Sequence, residues 1–216
     1  MNVYKNAYVV AADELTEFVI SGFNSFQAMS DERCKPYDLN RKGVNLGEAA
    51  AVAYLTLNRE NALVEILGSG NINDANHISG PSRTGEGLFL SIEAALKDSK
   101  IEADQINCIS LHGTATLYND EMEAIALNRL NMQHIPANSM KGYFGHTLGA
   151  SGLLESVMLI ESMRSNTLIV SKGFERMGVS KPISIITEIK SHETNYALKT
   201  ASGFGGCNSA IVFKKI

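Results

Sequence analysis

The sequence predicts an α/β layered fold, because short apolar segments that suit strands alternate with segments of helical periodicity. Polar residues and glycines follow several of the predicted strands, and ligand sites of α/β folds lie at such strand ends. We find no linker, low-complexity tract or repeat of fixed period along the 216 residues. The chain is therefore expected to fold as one layered unit.

The first predicted elements are a strand, a helix and a second strand. Residues 7–12 are apolar with a β-branched centre, which predicts a fully buried strand. Asp13 is the expected N-cap of a helix that ends near Ser21. Residues 30–44 are polar and form a predicted loop. Residues 46–57 are interpreted as a turn that leads into a strand, with a helix as the alternative.

The middle of the chain carries two more strands around a helix. Residues 62–66 form a predicted strand that breaks at Gly68-Ser69-Gly70. Residues 85–100 have apolar positions at helical spacing. Residues 106–111 then form a predicted buried strand, which ends at His112.

The last part of the chain repeats this order. Residues 119–130 form a predicted helix with Asn119 or Asp120 at its N-cap. A second apolar helix is expected over residues 149–163, with its core side chains at Leu153, Leu154, Met158 and Leu159. Three final strands are expected over residues 183–189, 196–202 and 210–216.

The composition is that of a folded protein and excludes several classes of function. Hydrophobic residues make up 44% of the chain and charged residues 19%. The net charge is −4 and the basic residues are scattered, which argues against a nucleic-acid partner. We also find no stretch long enough for a transmembrane helix and no apolar leader, so we expect a cytoplasmic protein without a membrane span.

The three cysteines are Cys34, Cys108 and Cys207, and no CxxC spacing occurs among them. This odd number argues against a disulfide framework, and the spacing argues against a structural zinc site. A reducing compartment is the better fit.

Two histidines stand in matching glycine-rich settings. His112 lies in Leu-His-Gly-Thr-Ala-Thr after a predicted strand, and His146 lies in Phe-Gly-His-Thr-Leu-Gly before a predicted helix. Two imidazoles on turns can donate hydrogen bonds to one developing oxyanion. For a single histidine, a buried structural role is the simpler interpretation, but the second matching motif favours a site. A metal hydrolase would use this pair with His77 or Asp120, but no HExxH-like spacing supports it, so no metal site is predicted.

Other polar residues near the histidines suit the same site. Lys141 precedes His146, and Glu155 follows it amid apolar residues of the predicted helix. Such a group can decide which imidazole is neutral, although a surface lysine and a solvated glutamate are the plainer alternative. Thr114 and Thr116 offer hydroxyls beside His112. Near the C-terminus, residues 203–206 (Gly-Phe-Gly-Gly, the glycine loop) suit a turn whose N–H groups face a ligand.

Three ordered motifs carry a resemblance to a known family. They are residues 112–116 with Asn119, Asp120 and Glu123, then Lys141 with residues 145–152, and finally residues 203–208. Together they resemble the C-terminal half of the β-ketoacyl-acyl-carrier-protein synthases, of the thiolase-like superfamily. The resemblance covers essentially the whole chain and implies a layered α/β/α/β/α fold. Residues 1–65 would be the end of the N-terminal half with its crossover, and residues 66–216 the C-terminal half.

The resemblance implies a decarboxylative Claisen condensation between an acyl thioester and a malonyl group on acyl-carrier protein. Its catalytic residues here would be His112 and His146, supported electrostatically by Lys141 and Glu155. The residues expected to bind the substrate are Thr114, Thr116, Phe204 and Gly205. The two threonines would contact the phosphopantetheine arm, and Phe204 would gate the acyl pocket. That arm is the substrate carrier, and no bound cofactor is expected.

The family's nucleophilic cysteine precedes the segment that resembles residues 8–15, and none of the three cysteines of this chain suits its role. Three interpretations follow. The chain is a truncated piece of a synthase, one half of a split synthase, or a non-condensing partner or carrier-protein-binding module. Under the first two interpretations, the chain would form a homo-oligomer or receive its N-terminal half from a partner chain. In addition, Ser202 stands where many relatives carry phenylalanine, which implies an enlarged or more polar pocket.

Overall fold

The computed structural model describes residues 4–74, 76 and 79–216, so His77 lies outside the described residues. The strands are β1 Asn6–Asp13, β2 Ala49–Thr56, β3 Val64–Asn73, β4 Cys108–Ser110, β5 Ala137–Asn138, β6 Thr167–Leu168, β7 Lys190–Ser191, β8 Tyr196–Gly203 and β9 Cys207–Lys215. The α-helices are α1 Glu17–Ser25, α2 Glu86–Ser99, α3 Leu117–Arg129, α4 Lys141–Phe144 and α5 Ser151–Ser165.

A five-stranded mixed sheet forms the centre of the structure. Its strand order is β3-β9-β8-β4-β5, with β3, β9 and β8 antiparallel and β8, β4 and β5 parallel. Helices α2 and α3 pack on one face of this sheet and α5 on the other. The alternation of strand side chains divides the core accordingly, since Leu198 of β8 joins the first cluster and Ala197 the second.

The parallel strands of this sheet position the polar motifs. His112 follows β4 after one intervening residue, and Lys141 begins α4 shortly after β5. Since β4 and β5 are parallel neighbours, both motifs lie at the same edge of the sheet. This is the strand end at which α/β folds carry their ligand sites.

Strand β3 does not break at Gly68-Ser69-Gly70 as predicted; it continues through these residues to Asn73. The glycines instead allow helix α2 to pack closely on the strand. A Cβ atom on Gly68 would lie 2.5 Å from the backbone nitrogen of Ser99, so that no larger residue fits there. A register shift between Ile66 and Gly68 is the only sign of the predicted break within the described strand.

Strands β1 and β2 form a separate antiparallel pair, the β1–β2 ribbon. The strand over residues 7–12 is confirmed, but the prediction that it is fully buried is wrong for this chain. Tyr8 is 74% exposed and Val10 68% exposed. The segment has the composition of a core strand, yet residues 6–10 are all exposed.

Both capping predictions are corrected by the structure. Helix α1 begins later than expected, because Thr16 rather than Asp13 is its N-cap and accepts a hydrogen bond from the nitrogen of Val19. Asp13 instead accepts a hydrogen bond from the nitrogen of Gly149. Helix α3 begins at Leu117 with Thr116 at its N-cap, so Asn119 and Asp120 lie inside the helix.

The predictions for helix α5 and for the late strands are confirmed in part. Leu159 is buried, whereas Leu153, Leu154 and Met158 are only half-buried. The face of α5 that turns inward carries polar groups as well, at Ser151, Glu155, Ser156 and Ser162. Strands β8 and β9 are confirmed, but residues 183–189 form no strand and contribute a single bridge from Ile185 to Ala137. Among the described residues, no helix has the length and apolarity needed to cross a membrane.

Candidate active site

His112 and His146 meet at the edge of the central sheet. Their rings lie edge to face, with the centroids 5.1 Å apart and an interplanar angle of 84°. His112 is buried and His146 half-buried, and both line the same cavity. We call these two residues the histidine pair.

The contacts of each ring determine which nitrogen carries the proton. Nδ1 of His112 lies 3.3 Å from Nζ of Lys141, and an ammonium group only donates hydrogen bonds. Nδ1 of His146 accepts a hydrogen bond from the nitrogen of Leu148 at 3.2 Å. Nδ1 is the acceptor in both rings, so a neutral ring carries its proton on Nε2. The histidine pair therefore offers two Nε2–H donors.

A buried chain of charges lies behind the histidine pair. Nζ of Lys141 lies 2.7 Å from Oε1 of Glu155 and 3.2 Å from Oγ of Ser151. The second carboxylate oxygen of Glu155 lies 2.6 Å from Nζ of Lys199. The Lys141–Glu155 pair was expected from the sequence, but Lys199 was not. Two ammonium groups thus share one carboxylate in the interior.

The environment keeps both imidazoles neutral. Burial, and next the positive charge of Lys141, hold the pKa of His112 well below its ordinary value. The same two causes lower the pKa of His146 to about 3, against an opposing effect of Glu155. Burial alone would raise the pKa of Glu155, but the ammonium groups of Lys141 and Lys199 lower it to about 2. A neutral pair beside an ionised carboxylate is the resting state of the site at neutral pH.

The backbone at His112 is held by a buried carboxylate on helix α3. Glu123 accepts hydrogen bonds from the nitrogens of His112 and Gly113, at 2.8 and 2.7 Å. The hydroxyl of Tyr37 donates to the same carboxylate at 2.7 Å. The sequence motif contained Glu123 without indicating this role. Tyr37 was missed, because its partner is distant in sequence.

A cavity of about 850 Å³ opens in front of the histidine pair. Of the residues expected to bind substrate, Thr114, Thr116 and Phe204 line it, and the two threonine hydroxyls lie 2.8 Å apart. Gly205 is not among its lining residues, and its carbonyl accepts a hydrogen bond from Asn73. The glycine loop forms the tight connection between β8 and β9, as expected of a turn.

Phe204 stands at the cavity within a small aromatic group. Its ring stacks on Phe23 with centroids 5.4 Å apart, and it meets Phe26 edge to face at 5.3 Å. Phe23 in turn faces the ring of His146 at 6.4 Å. Phe204 is half exposed, at 48%, and so lies at the surface of the cavity.

The three cysteines differ sharply in environment. Cys34 and Cys108 are buried, and burial raises the pKa of each thiol to about 12. Cys207 is exposed and lines the cavity. The described residues contain no group of three or more His, Cys, Asp or Glu side chains placed to hold a metal ion.

Comparison with known proteins identifies the family behind this geometry. Residues 63–175, which include the histidine pair, Lys141, Glu155 and Glu123, match the model of the β-ketoacyl synthase C-terminal domain. The chain belongs to the β-ketoacyl synthase family.

Relatives of this synthase domain cover nearly the whole chain. It is 30% identical to a putative mitochondrial 3-oxoacyl-[acyl-carrier-protein] synthase of Schizosaccharomyces pombe, over 93% of the chain and 52% of that protein. It is also 30% identical to 3-oxoacyl-[acyl-carrier-protein] synthase 2 of Rhizobium meliloti, over 91% of the chain and 50% of that protein. The chain thus spans about half the length of the curated relatives it matches.

Solved structures confirm the predicted thiolase-like α/β fold of the synthase domain. A β-ketoacyl synthase from Burkholderia phymatum superimposes with a TM-score of 0.93 at 28% identity, over 98% of the chain and 55% of that protein. A ketosynthase in complex with its chain length factor, from Xenorhabdus doucetiae, gives 0.91 at 32% identity, over 98% of the chain and 53% of the matched one.

Proposed function

We propose that the chain is the C-terminal part of a 3-oxoacyl-[acyl-carrier-protein] synthase of fatty acid or polyketide-like biosynthesis. In it, the chain supplies the enolate-stabilising side of a decarboxylative Claisen condensation. The observation that carries this proposal is the histidine pair, neutral and with Nδ1 of each ring already accepting a hydrogen bond. The names of the relatives support the reaction class.

The geometry supports a specific role for the histidine pair. When a malonyl thioester loses carbon dioxide, the electrons of the broken C–C bond form an enolate whose charge lies on the thioester oxygen. Two Nε2–H donors suit that oxygen, and they strengthen as its charge develops. The enolate carbon then attacks the carbonyl of the acyl thioester, a C–C bond forms, and the thiolate leaves.

The other predicted site residues have supporting roles in this proposal. Lys141, held in place by Glu155, orients His112 through Nδ1; burial, and next the charge of Lys141, keep the pKa of His112 well below its ordinary value. Thr114 and Thr116 contact the phosphopantetheine arm of acyl-carrier protein, and Phe204 gates the acyl pocket. Gly205 contributes through the shape of the glycine loop. No bound cofactor enters the reaction, and we place the protein in the cytoplasm.

The acyl-accepting cysteine belongs, in this proposal, to the N-terminal half of the synthase. Cys34 and Cys108 are unsuited to accept an acyl group, because both thiols are buried with pKa values raised to about 12. We propose residues 1–65 as the end of the N-terminal half with the crossover, and residues 66–216 as the C-terminal half. The N-terminal half, with the cysteine, reaches this domain within the same protein, in a homo-oligomer, or from a partner chain.

A second candidate function is a non-condensing partner or carrier-protein-binding module of a heterodimeric synthase. The similarity to the ketosynthase solved with its chain length factor favours it. This alternative predicts affinity for acyl-carrier protein without decarboxylation. The first proposal requires decarboxylation once both halves are present.

The experiment that separates them is release of labelled carbon dioxide from malonyl-acyl-carrier protein. The protein is assayed alone and co-purified with the N-terminal half of a related synthase. We expect release by the combined protein, and its loss in His112→Ala and His146→Ala but not in the surface variant Lys172→Ala. Release that is unchanged in both histidine variants refutes the role of the pair. A stoichiometric acyl adduct on the chain alone, seen by intact mass, refutes the assignment of the nucleophile to the other half.

A further inference from the structure

Lys199 is a charged side chain in the middle of the central sheet. It lies on β8, opposite Ser110 of β4, and its side chain is 3% exposed. Burying an ammonium group is strongly unfavourable unless oxygen atoms replace its water. Its position therefore calls for a specific set of contacts.

Four oxygen atoms surround the ammonium group. Oε2 of Glu155 lies 2.6 Å from Nζ and the carbonyl oxygen of Thr200 lies 2.8 Å from it. The carbonyl oxygens of Ser110 and Leu111 both lie 3.4 Å away. One carboxylate and three backbone carbonyls form an oxygen cage, which is the kind of shell that replaces the water of a monovalent cation.

We propose that Lys199 is a positioning residue, a tethered monovalent cation that fixes Glu155 and the end of strand β4 behind the histidine pair. Its effect on catalysis rests on the proposed function; its effect on the geometry does not. The contacts of the Lys199 ammonium are with Glu155 and with backbone carbonyls, and it acts on the imidazoles through these groups.

The first of these groups is the carboxylate of Glu155. Its two oxygens are divided, with Oε1 on Lys141 and Oε2 on Lys199. Oε1 also accepts a hydrogen bond from the hydroxyl of Ser151, so without Lys199 the carboxylate keeps its contacts at Oε1 but loses its partner at Oε2 and can pivot about Oε1. The Lys141 ammonium would then lose the fixed partner that aims it at Nδ1 of His112.

The second group is the backbone that leads to His112. The carbonyls of Ser110 and Leu111 belong to the two residues immediately before His112. Their contacts with the Lys199 ammonium fix the end of β4. Glu123 holds the next two nitrogens. The Lys199 ammonium thus fixes the backbone before His112, and the Glu123 carboxylate fixes the backbone at His112 and after it.

The charge of Lys199 also bears on the protonation of the pair. Among the residues that the structure describes, the charged groups that act on the two imidazoles are Lys141 on α4, Glu155 on α5 and Lys199 on β8, and each imidazole faces the other. One carboxylate between two ammonium groups leaves a net positive charge. Removing Lys199 removes one of the causes that lower the pKa of each histidine.

The test replaces the tethered cation by a free one. Lys199→Ala deletes the ammonium and leaves the oxygen cage, and Lys199→Met deletes it while filling the space. The control is Lys215→Ala on the neighbouring strand, where Nζ donates to the carbonyl oxygen of Arg164 and to the amide oxygen of Asn166. Thermal unfolding is measured in ammonium chloride and in lithium chloride at equal ionic strength.

We expect Lys199→Ala to gain several degrees in Tm in ammonium chloride relative to lithium chloride, since ammonium matches the lost group in size and charge. The parent, Lys215→Ala and Lys199→Met should show no such difference. A Lys199→Ala variant that is equally stable in both salts, or unfolded in both, overturns the proposal.

A second measurement follows the histidine pair itself, by NMR titration of the imidazoles in each variant. We expect the pKa of His146 to move upward in Lys199→Ala and Lys199→Met, and ammonium to reverse this only in Lys199→Ala. Imidazole titrations that match the parent in both variants overturn the positioning role. Neither measurement involves turnover, so failure of the proposed condensation would leave both results interpretable.

Discussion

The ammonium group of Lys141 lies 3.3 Å from Nδ1 of His112 and is itself buried, with 1% of the residue exposed. A cation placed there makes a second positive charge on the imidazole unfavourable and leaves Nδ1 as an acceptor. The same cation lies 2.7 Å from Glu155, which offsets its own burial. This contact therefore determines the tautomer of His112 and, together with burial, keeps the imidazole neutral, which can be measured through the acid–base behaviour of the protein.

The first prediction concerns the loss of stability in acid. His146 has an ordinary pKa of 6.5, which the fold lowers to about 3. Below pH 6.5 the unfolded chain binds a proton that the native state does not, so stability falls as the pH falls toward 3. One such group contributes a slope of up to about 1.4 kcal/mol per pH unit. We expect His146→Asn to lose less stability than the parent between pH 6.5 and 4.5, measured by urea unfolding.

Asp120 provides the opposing control for this prediction. Burial raises its pKa from 3.8 to about 7, so the native state holds a proton that the unfolded chain releases over this range. Its contribution is lost as the pH rises through 7, the reverse of the His146 effect. Asp120→Asn should therefore make the fall in stability on acidification steeper. A variant of His146 with the same pH profile as the parent contradicts the prediction.

The second prediction concerns the carboxylate of Glu123. It accepts hydrogen bonds from the His112 and Gly113 nitrogens and from the Tyr37 hydroxyl. In Glu123→Gln, an NH2 group replaces one of the two accepting oxygens. This group donates hydrogen bonds, so the donors that the oxygen bound in the parent lose their acceptor. Leaving buried donors unsatisfied costs about 3 kcal/mol in such a setting. Denaturant unfolding should show this loss, whereas Glu93→Gln, an exposed position on α2, should change stability by less than about 0.5 kcal/mol.

Equal unfolding midpoints for Glu123→Gln and the parent would contradict this account of the His112 backbone. The NMR signal of the His112 imidazole gives a local readout, because a displaced backbone alters the Lys141 contact. We expect that signal to shift in Glu123→Gln and to stay in place in Glu93→Gln.

The third prediction concerns thiol reactivity. Cys207 is exposed at the cavity, whereas Cys34 and Cys108 are buried with pKa values raised to about 12. Only the thiolate reacts with alkylating agents. Iodoacetamide at pH 8 should label one thiol quickly in the native protein and all three in denaturant, as counted by intact mass. Cys207→Ser should abolish the fast reaction; fast labelling at Cys34 would show that its environment differs from the one described.

The sequence predicted the histidine pair and its Lys141–Glu155 support, because glycine-flanked polar motifs stand out at the ends of strands. Lys199 was missed for a physical reason. It lies within the apolar and small residues of β8, where a single lysine gives no sign of the distant carboxylate it meets. Long-range pairing of this kind leaves no local pattern in the sequence.

The two wrong N-cap predictions have the same cause, which is pairing with a distant segment. Asp13 and Asp120 both have side chains that suit an N-cap, yet each binds a backbone nitrogen far along the chain, of Gly149 and of Tyr37 respectively. Local propensity predicts that such a residue accepts hydrogen bonds from the backbone, but not from which segment. Helix α2 was more predictable, because its apolar residues at helical spacing are the ones that the core buries.

The fourth prediction concerns the β1–β2 ribbon. Register pairs Tyr8 with Tyr54 and Val10 with Val52, so these four side chains share one face. All four are more than half exposed, and the two tyrosine rings lie 5.0 Å apart. A continuous apolar face of this kind favours association. We expect the purified chain to self-associate at micromolar concentration in sedimentation velocity, because a second copy covers the face in the absence of another partner.

The variant Val10→Lys places a charge at the centre of this face and should shift the chain toward the monomer. Leu63→Lys, at an exposed apolar position outside the ribbon, should leave the sedimentation of the chain unchanged. A parent chain that sediments as a monomer, or a Val10→Lys variant that associates like the parent, would show that this face is not where copies of the chain meet.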